Sequence, residues 1–233
     1  MATTAELIAQ ARIDLDDPEL PGSGSTPDED CRWSNAELLS YLNRAIDEAC
    51  LRARLLVDST NSTVCTIAVK IGKAVYKLDD RVLLVLRARL DSQDVPLEKK
   101  GRDDLDKTVV DWEAKTGAPS SWIQDMDSNT IQLVSIPVEI DVLRIVVQRT
   151  QMHPLTWAQR ARQQPEMHRI NHFNLLQWVL HLCYSKHDDD TYDETKAKKH
   201  GGMFSGVFGE RPDAWNMEIQ RASRPMRVPA RFV

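Results

Sequence analysis

The chain has few cysteines, and none in metal-binding spacing. Cys31, Cys50, Cys65 and Cys183 are scattered along it, with no CxxC pair. They read as reduced thiols rather than a disulfide framework or a zinc ribbon. No apolar run approaches the about 20 residues that a membrane-spanning helix needs, so no membrane association is expected. The first residues, Met1-Ala2-Thr3-Thr4-Ala5-Glu6, lack the basic start and apolar stretch of a secretory leader. The chain is expected to be made and kept in the cytoplasm, or assembled there into something larger. Basic charge is also in deficit. Lys and Arg total 30 against 35 Asp and Glu, a net charge of −5. Generic nucleic-acid binding needs a basic face and is disfavoured. GxSxG, GxxxxGK[ST], HExxH and a GxGxxG after a strand are all missing. Carboxylate pairs are inevitable among 35 acids, so they neither support nor exclude a glycosidase.

What is present is ordinary globular material. At 233 residues, 42% hydrophobic and 28% charged, the chain is long enough for one large domain or two small ones. A chain of this size buries roughly 70–75% of its unfolded surface. Charge is uneven along it. Residues 1–60 hold five Lys/Arg against twelve Asp/Glu, whereas 221–233 hold four Arg and no acid. That asymmetry marks the end of the chain as an interaction tail.

The hydrophobic period gives the order of elements. Leu7, Ala11 and Leu15, four apart, predict a helix over 3–15. The Pro, Gly and acid run from Asp16 to Asp30 is a loop. Ser34 and Glu37 form a capping box ahead of Leu38, Tyr41, Leu42, Ala45, Ile46 and Ala49, which predicts a long helix over 35–56. From about residue 62 the period becomes two. Strands are predicted at 65–71, 82–90, 95–99, 121–125, 130–134 and 141–150, with Asp127-Ser128-Asn129 as a hairpin turn. One short helix carrying Leu105, Val109 and Trp112 interrupts them, stopped by Gly117 and Pro119. After Pro154 the helical period returns. Pro165 opens a second long helix to about 187. A further helix over 190–200 is expected to end at Gly201-Gly202, with a short one at 212–220.

The predicted class is α+β. Two long packed helices, 35–56 and 166–187, frame an inserted antiparallel β-block, and an extended C-terminal tail follows. The divisions are 1–60 (N-terminal helices with the acidic loop), 61–152 (the β-rich insertion), 153–220 (C-terminal helices) and 221–233 (the tail). In the tail, Arg221, Arg224, Arg227 and Arg231 bring charge. Pro225 and Pro229 forbid a regular helix, and Val228 and Phe232 offer apolar anchors. Such a segment suits a sheet edge or an acidic groove.

Three constellations invite chemistry and favour plainer readings. His168 and His172 share a helix face with Phe173, Leu176 and Leu180. With Cys183 or His187 they would make a zinc set, but a core or interface role fits better. Asp188, Asp189, Asp190, Asp193 and Glu194 suggest calcium, but an EF-hand fails at Tyr192 and lacks its glycine. A solvated helix junction is favoured, with acids suiting the helix dipole. The tryptophans have no basic stripe beside them and read as packing residues rather than base-stacking platforms. No metal, cofactor or catalytic residue is expected, and the protein is not expected to be an enzyme.

Two segments resemble a known family. Arg32-Trp33-Ser34-Asn35-Ala36-Glu37-Leu38-Leu39-Ser40-Tyr41-Leu42-Asn43-Arg44-Ala45 is similar to the R-W-S-x-x-E-L-x-x-Y-L-N-x-A signature of bacteriophage head-to-tail adaptor (connector) proteins. Pro165-Glu166-Met167, His172, Leu175, Trp178 and Cys183-Tyr184 are similar to that family's later helix, with Cys for its usual small residue. Gly117-Ala118-Pro119, and Phe204-Ser205-Gly206-Val207-Phe208-Gly209 at the end of 190–209, also fit, in the same order. The long loop at 16–30 departs from the family, which is usually tighter there.

The resemblance implies a structural protein in a ring, usually of twelve copies, clamped beneath the portal protein and linking the capsid to the tail or stopper protein. Packaged DNA would pass through the lumen without sequence-specific binding. The protein would sit in the virion neck, and its C-terminal arm would dock on the portal. An acidic body would keep the sliding DNA from sticking. With the long helices paired, no large apolar stripe is expected to remain, so the ring is expected to form only on the portal. The competing readings are another neck component (a stopper or tail-completion protein), a virion-associated enzyme such as a muramidase, and a DNA-binding module. The helical frame disfavours the first. A zymogram and the salt dependence of binding would separate the other two.

Overall fold

The computed structural model describes residues 2–17, 31–125, 127–187, 191–213 and 217. In chain order, the first elements are α1 (Thr4–Asp14), α2 (Asn35–Arg52), β1 (Val57–Asp58), the single turn α3 (Ser62–Cys65), β2 (Thr66–Val69), β3 (Val75–Lys77) and β4 (Val82–Leu90). They are followed by β5 (Glu98–Lys99), α4 (Arg102–Thr108), β6 (Ser121–Gln124), β7 (Thr130–Val134), β8 (Asp141–Arg149), α5 (Leu176–Ser185) and α6 (Glu194–Phe208). The class is α+β. The chain forms two compact units, one helical (residues 1–56 with 150–211) and one built on residues 57–149.

The helical unit begins with two capping boxes. Thr3 and Glu6 close the start of α1, and Ser34 and Glu37 close that of α2. Each box satisfies two backbone groups that a helix start leaves unpaired. The amides of Thr4 and Ala5 donate to the carbonyls of Gln163 and Arg160, at 2.9 and 3.0 Å, which ties the N-terminus to the returning chain. The apolar faces then meet. Leu7, Ile8 and Ala11 of α1, Leu38, Leu42, Ala45, Ile46 and Ala49 of α2, and Leu176, Val179, Leu180 and Cys183 of α5 are all buried. Arg12 is buried too, and its guanidinium reaches Asn35 at 2.8 Å and Asp17 at 3.3 Å.

Two expectations fail here. The second long helix is not one helix. Arg169–Asn171 and Phe173–Leu175 are separate 3-10 turns, and only the ten residues of α5 are α-helical, against eighteen in α2. Side chains compete with the helical ladder in this stretch. Glu166 accepts the Met152 amide, His168 accepts the Ile170 amide, and the His172 ring bonds the Met167 carbonyl. Gly201-Gly202 does not end a helix either, because α6 continues to Phe208 and is capped at Gly209, whose φ is +86°. Burial of Phe204 and Phe208 outweighs the poor helix propensity of glycine.

The β unit contains two four-stranded sheets. In the first, β8 is central and antiparallel to all its partners. β1 and β2 pair with it, and β4 pairs with it over the full span from Val82↔Arg149 to Leu90↔Leu143. The second runs β3-β7-β6-β5. The block is not wholly antiparallel as expected, because β5 and β6 are parallel. The chain leaves β5, passes through α4 and returns in the same direction, which is how parallel neighbours are joined. Under that crossover, Leu105, Trp112, Ile123 and Val134 form a small core, with Val109 against it. The turn between β6 and β7 uses left-handed backbone at Asp125 and Asn129, φ +59° and +58°. Of the helix expected at 212–220, only residues 212, 213 and 217 are described, and the tail at 221–233 lies outside the described residues.

Candidate interaction surfaces

The residues of the two family-like segments converge within the helical unit. Trp33 is buried beside Tyr41, edge to face at 6.4 Å, and the Lys186 ammonium lies 5.1 Å above its ring. Glu37 serves the cap and also accepts a 2.7 Å bond from Lys186 at the end of α5. That bond from Lys186 lowers the Glu37 carboxyl below its ordinary value, against an opposing push from burial. Asn43 acts as a clasp on the returning chain. Its amide donates to the Leu155 carbonyl at 3.0 Å, and its oxygen accepts from the Leu155 amide at 2.8 Å and from Gln151 at 2.9 Å. Asn43 thus imitates a strand partner for a segment with no regular structure, which secures backbone groups that would otherwise go unpaired.

At the other end of α2, Arg52 holds the end of α6. Its guanidinium lies 4.6 Å over Trp178 and 5.1 Å over Phe204. It donates to Glu48 at 2.8 Å, the Ser205 hydroxyl at 2.9 Å and the Gly209 carbonyl at 3.2 Å. A planar, permanently charged group can stack and donate in several directions at once, which lysine cannot do. The chain leaving α6 is therefore fixed at Gly209. Neither Asn43 nor Arg52 stands out in the sequence as a lone residue. Only the family-like segment around Asn43 gave a signal.

The other sequence candidates are placed as follows. His168 caps a 3-10 turn, and His172 is buried with its Nε2 3.0 Å from the Met167 carbonyl. His187 stacks on Tyr192 at 4.7 Å. Asp193 caps α6 by accepting the Lys196 amide at 2.9 Å, and Glu194 pairs with Lys198. Asp188, Asp189 and Asp190 lie outside the described residues. Among the described residues, no three His, Cys, Asp or Glu groups come together as a metal site. Burial pushes the Cys65 thiol up to about 11 and the Cys183 thiol up to about 12, so both stay protonated and unreactive. Trp112 donates to Asp106 at 2.8 Å, and Trp122 is buried under Lys99. Trp157 lies against Arg160, and Trp215 is outside the described residues. Arg221, Arg224, Pro225, Arg227, Val228, Pro229, Arg231 and Phe232 lie outside them as well.

The side chains in view thus hold backbone together. A family model described as SU10 adaptor protein matches residues 2–229. The chain belongs to the SU10 adaptor protein family. This is a phage head-to-tail adaptor family, and its role is structural. Membership fits the convergence of Trp33, Glu37, Asn43, Trp178 and Cys183 in one unit, because the signature residues of a structural family are expected to be those that fix its frame. No curated protein matches the chain. Among the described residues, no helix is long and apolar enough to cross a membrane.

Proposed function

We propose that the protein forms a ring of twelve copies beneath the portal, joins the capsid to the tail or stopper protein, and lets DNA pass through its lumen. Its place would be the neck of the virion. The match to the adaptor family over residues 2–229 carries this reading. The net charge of −5 supports it, since a lumen that does not attract phosphate lets DNA slide. The tail at 221–233 docks on the portal through Arg221, Arg224, Arg227 and Arg231, with Val228 and Phe232 as anchors and Pro225 and Pro229 keeping it extended. The clamp of Arg52 on Gly209 supports this by giving the chain a fixed point before it reaches the tail. Ordering such a segment costs about 2–5 kcal/mol, which many copies in a ring offset by avidity.

The test is electron microscopy of the full chain mixed with purified portal, repeated after deletion of residues 222–233. The full chain gives a cap of twelve copies on the portal. The truncated chain keeps its melting temperature and loses the portal. Unchanged binding by the truncated chain sinks the docking role of the tail, and the absence of any cap sinks the ring.

A further inference from the structure

α6 buries one face and leaves the other open. Ala197, Phe204 and Phe208 are buried, and Gly201 lies close to a ring, because a Cβ there would sit 3.1 Å from His181 Nδ1. That contact accounts for glycine at 201. The opposite face exposes Lys199, Gly202, Met203, Gly206 and Val207, with Met203 48% and Val207 50% accessible. Nothing lies within 4 Å of a Cβ placed on Gly202 or Gly206, and neither has the left-handed backbone that favours glycine. Glycine inside a helix destabilises it relative to alanine. Among the described residues, nothing within one copy requires it at these two positions. Two glycines a turn apart, flanked by Met203 and Val207, allow another backbone to approach closely.

We infer that the open face of α6 receives the exposed face of α1 from a second copy of this chain. Charge complementarity selects this occupant. The exposed face of α1 carries Ala9 and Ile13 one turn apart, with Ile13 60% accessible, and is bordered by Glu6, Asp14 and Asp16. The exposed side of α6 carries Lys196, Lys198 and Lys199, the first two paired with Asp193 and Glu194 at the helix start, which leaves this side net positive. One surface is acidic with a small apolar seam, and the other is basic with a glycine seam. They are different patches on one chain, so their pairing is heterologous, as a closed ring of identical copies requires. The inference rests on the proposed ring and names the surfaces that build it.

Two populations test it, Ala9→Cys and Met203→Cys, each in a Cys31→Ser background where the remaining native thiols, Cys50, Cys65 and Cys183, are buried, and carrying different mass tags. Both positions are central on their faces, so the pair reports contact whichever way the helices run. Oxidation after mixing, with the chain concentrated alone and again on the portal, gives the mixed 9–203 dimer at least fivefold over either like pair. A second variant, Gly202→Leu with Gly206→Leu, keeps or raises the melting temperature and weakens copy-to-copy association at least tenfold. Association in many copies with equal yields of all three dimers, or a folded double-leucine variant that associates like the wild type, overturns this contact and leaves the ring standing. Cross-links from Met203→Cys to the portal or to the tail also overturn it. A wild-type chain that never associates in more than one copy, alone or on the portal, overturns the ring and this contact together.

Discussion

The helical unit and the β unit are stabilised in different ways. In the helical unit, polar side chains reach far along the chain to secure backbone. Asn43 holds Leu155, Glu166 holds Met152, and Arg52 holds Gly209. In the β unit the ladder does most of this, through one strand, β8, that serves β1, β2 and β4, with Gln124, Gln93 and Asn129 adding bonds to the backbone of Val85, Pro119 and Leu78. Its buried apolar residues Leu143, Ile145 and Val147 line one face of the resulting sheet. A fold held by specific side chains tolerates irregular backbone such as the 3-10 turns at 169–175 but depends on a few residue identities. A fold held by a ladder depends on period and burial.

Breaking each unit at its own weak point sharpens the contrast. Leu143→Ala removes a fully buried side chain from the central strand and destabilises the β unit by about 3 kcal/mol. Hydrogen exchange read by mass spectrometry should show amide protection lost across β4 and β8 while α2 and α5 keep theirs. Equal loss in both would show that the two units open together. Asn43→Ala leaves the backbone groups of Leu155 and the Gln151 amide without their partner, and costs the helical unit about 2–3 kcal/mol. Exchange should then rise in α2 and over 150–165, with β8 unchanged. Asn43→Asp keeps the acceptor and loses the donor, so it falls between the two.

The smallest effect concerns pH, where the units should part in different windows. Burial, reinforced by Lys199, lowers His200 below its ordinary value, with Asp14 opposing and His181 and Lys196 adding to the shift. A depressed histidine favours the folded state fully above about pH 6.5, and the contribution is lost as pH falls below that. In the β unit, burial opposes ionisation of Asp58. The amides of Thr60 and Asn61 and the Arg149 guanidinium, 2.9 Å away, outweigh it and hold the carboxyl well below its usual range. That stabilisation is complete above about pH 4 and is lost only in stronger acid. Acidification from pH 7 to 5 should therefore loosen α5 and α6 first, and His200→Gln should flatten that change. Loss of β8 protection at pH 5 would contradict the assignment to Asp58.

How much was legible in the sequence follows the same division. The start of α2 was readable because Ser34 and Glu37 announce it locally. Its end was placed four residues late, since Arg52 turns to Trp178 and Phe204 and the backbone becomes extended at Ala53. The strands at 82–90, 130–134 and 141–149 were readable from period and apolar content. β3 was missed because its three residues carry too short a pattern, although Tyr76 is buried and its hydroxyl donates to the Lys73 carbonyl at 2.6 Å. The 3-10 turns and the passage of α6 through Gly201-Gly202 were hidden, because residues distant in the chain or side-chain bonds decide them. The clasp of Asn43 joins positions more than a hundred residues apart, and no local pattern encodes that.

One consequence of the β1–β8 pairing concerns chain entropy. Val57 lies opposite Gln148, so the strand that carries the chain out of the helical unit is hydrogen-bonded to the strand that brings it back. Neighbouring antiparallel strands hold paired Cα atoms about 5 Å apart. Once folded, the β unit therefore brings its own two ends together as a tight turn would. Unfolded, it is a floppy loop of about ninety residues, and closing such a loop costs about 2–3 kcal/mol more than closing a handful. A nascent chain gains that difference if the strands zip before α5 returns to α2. Any other domain whose two ends meet side by side could be grafted at the same seam, between Leu56 and Thr150, at little entropic cost.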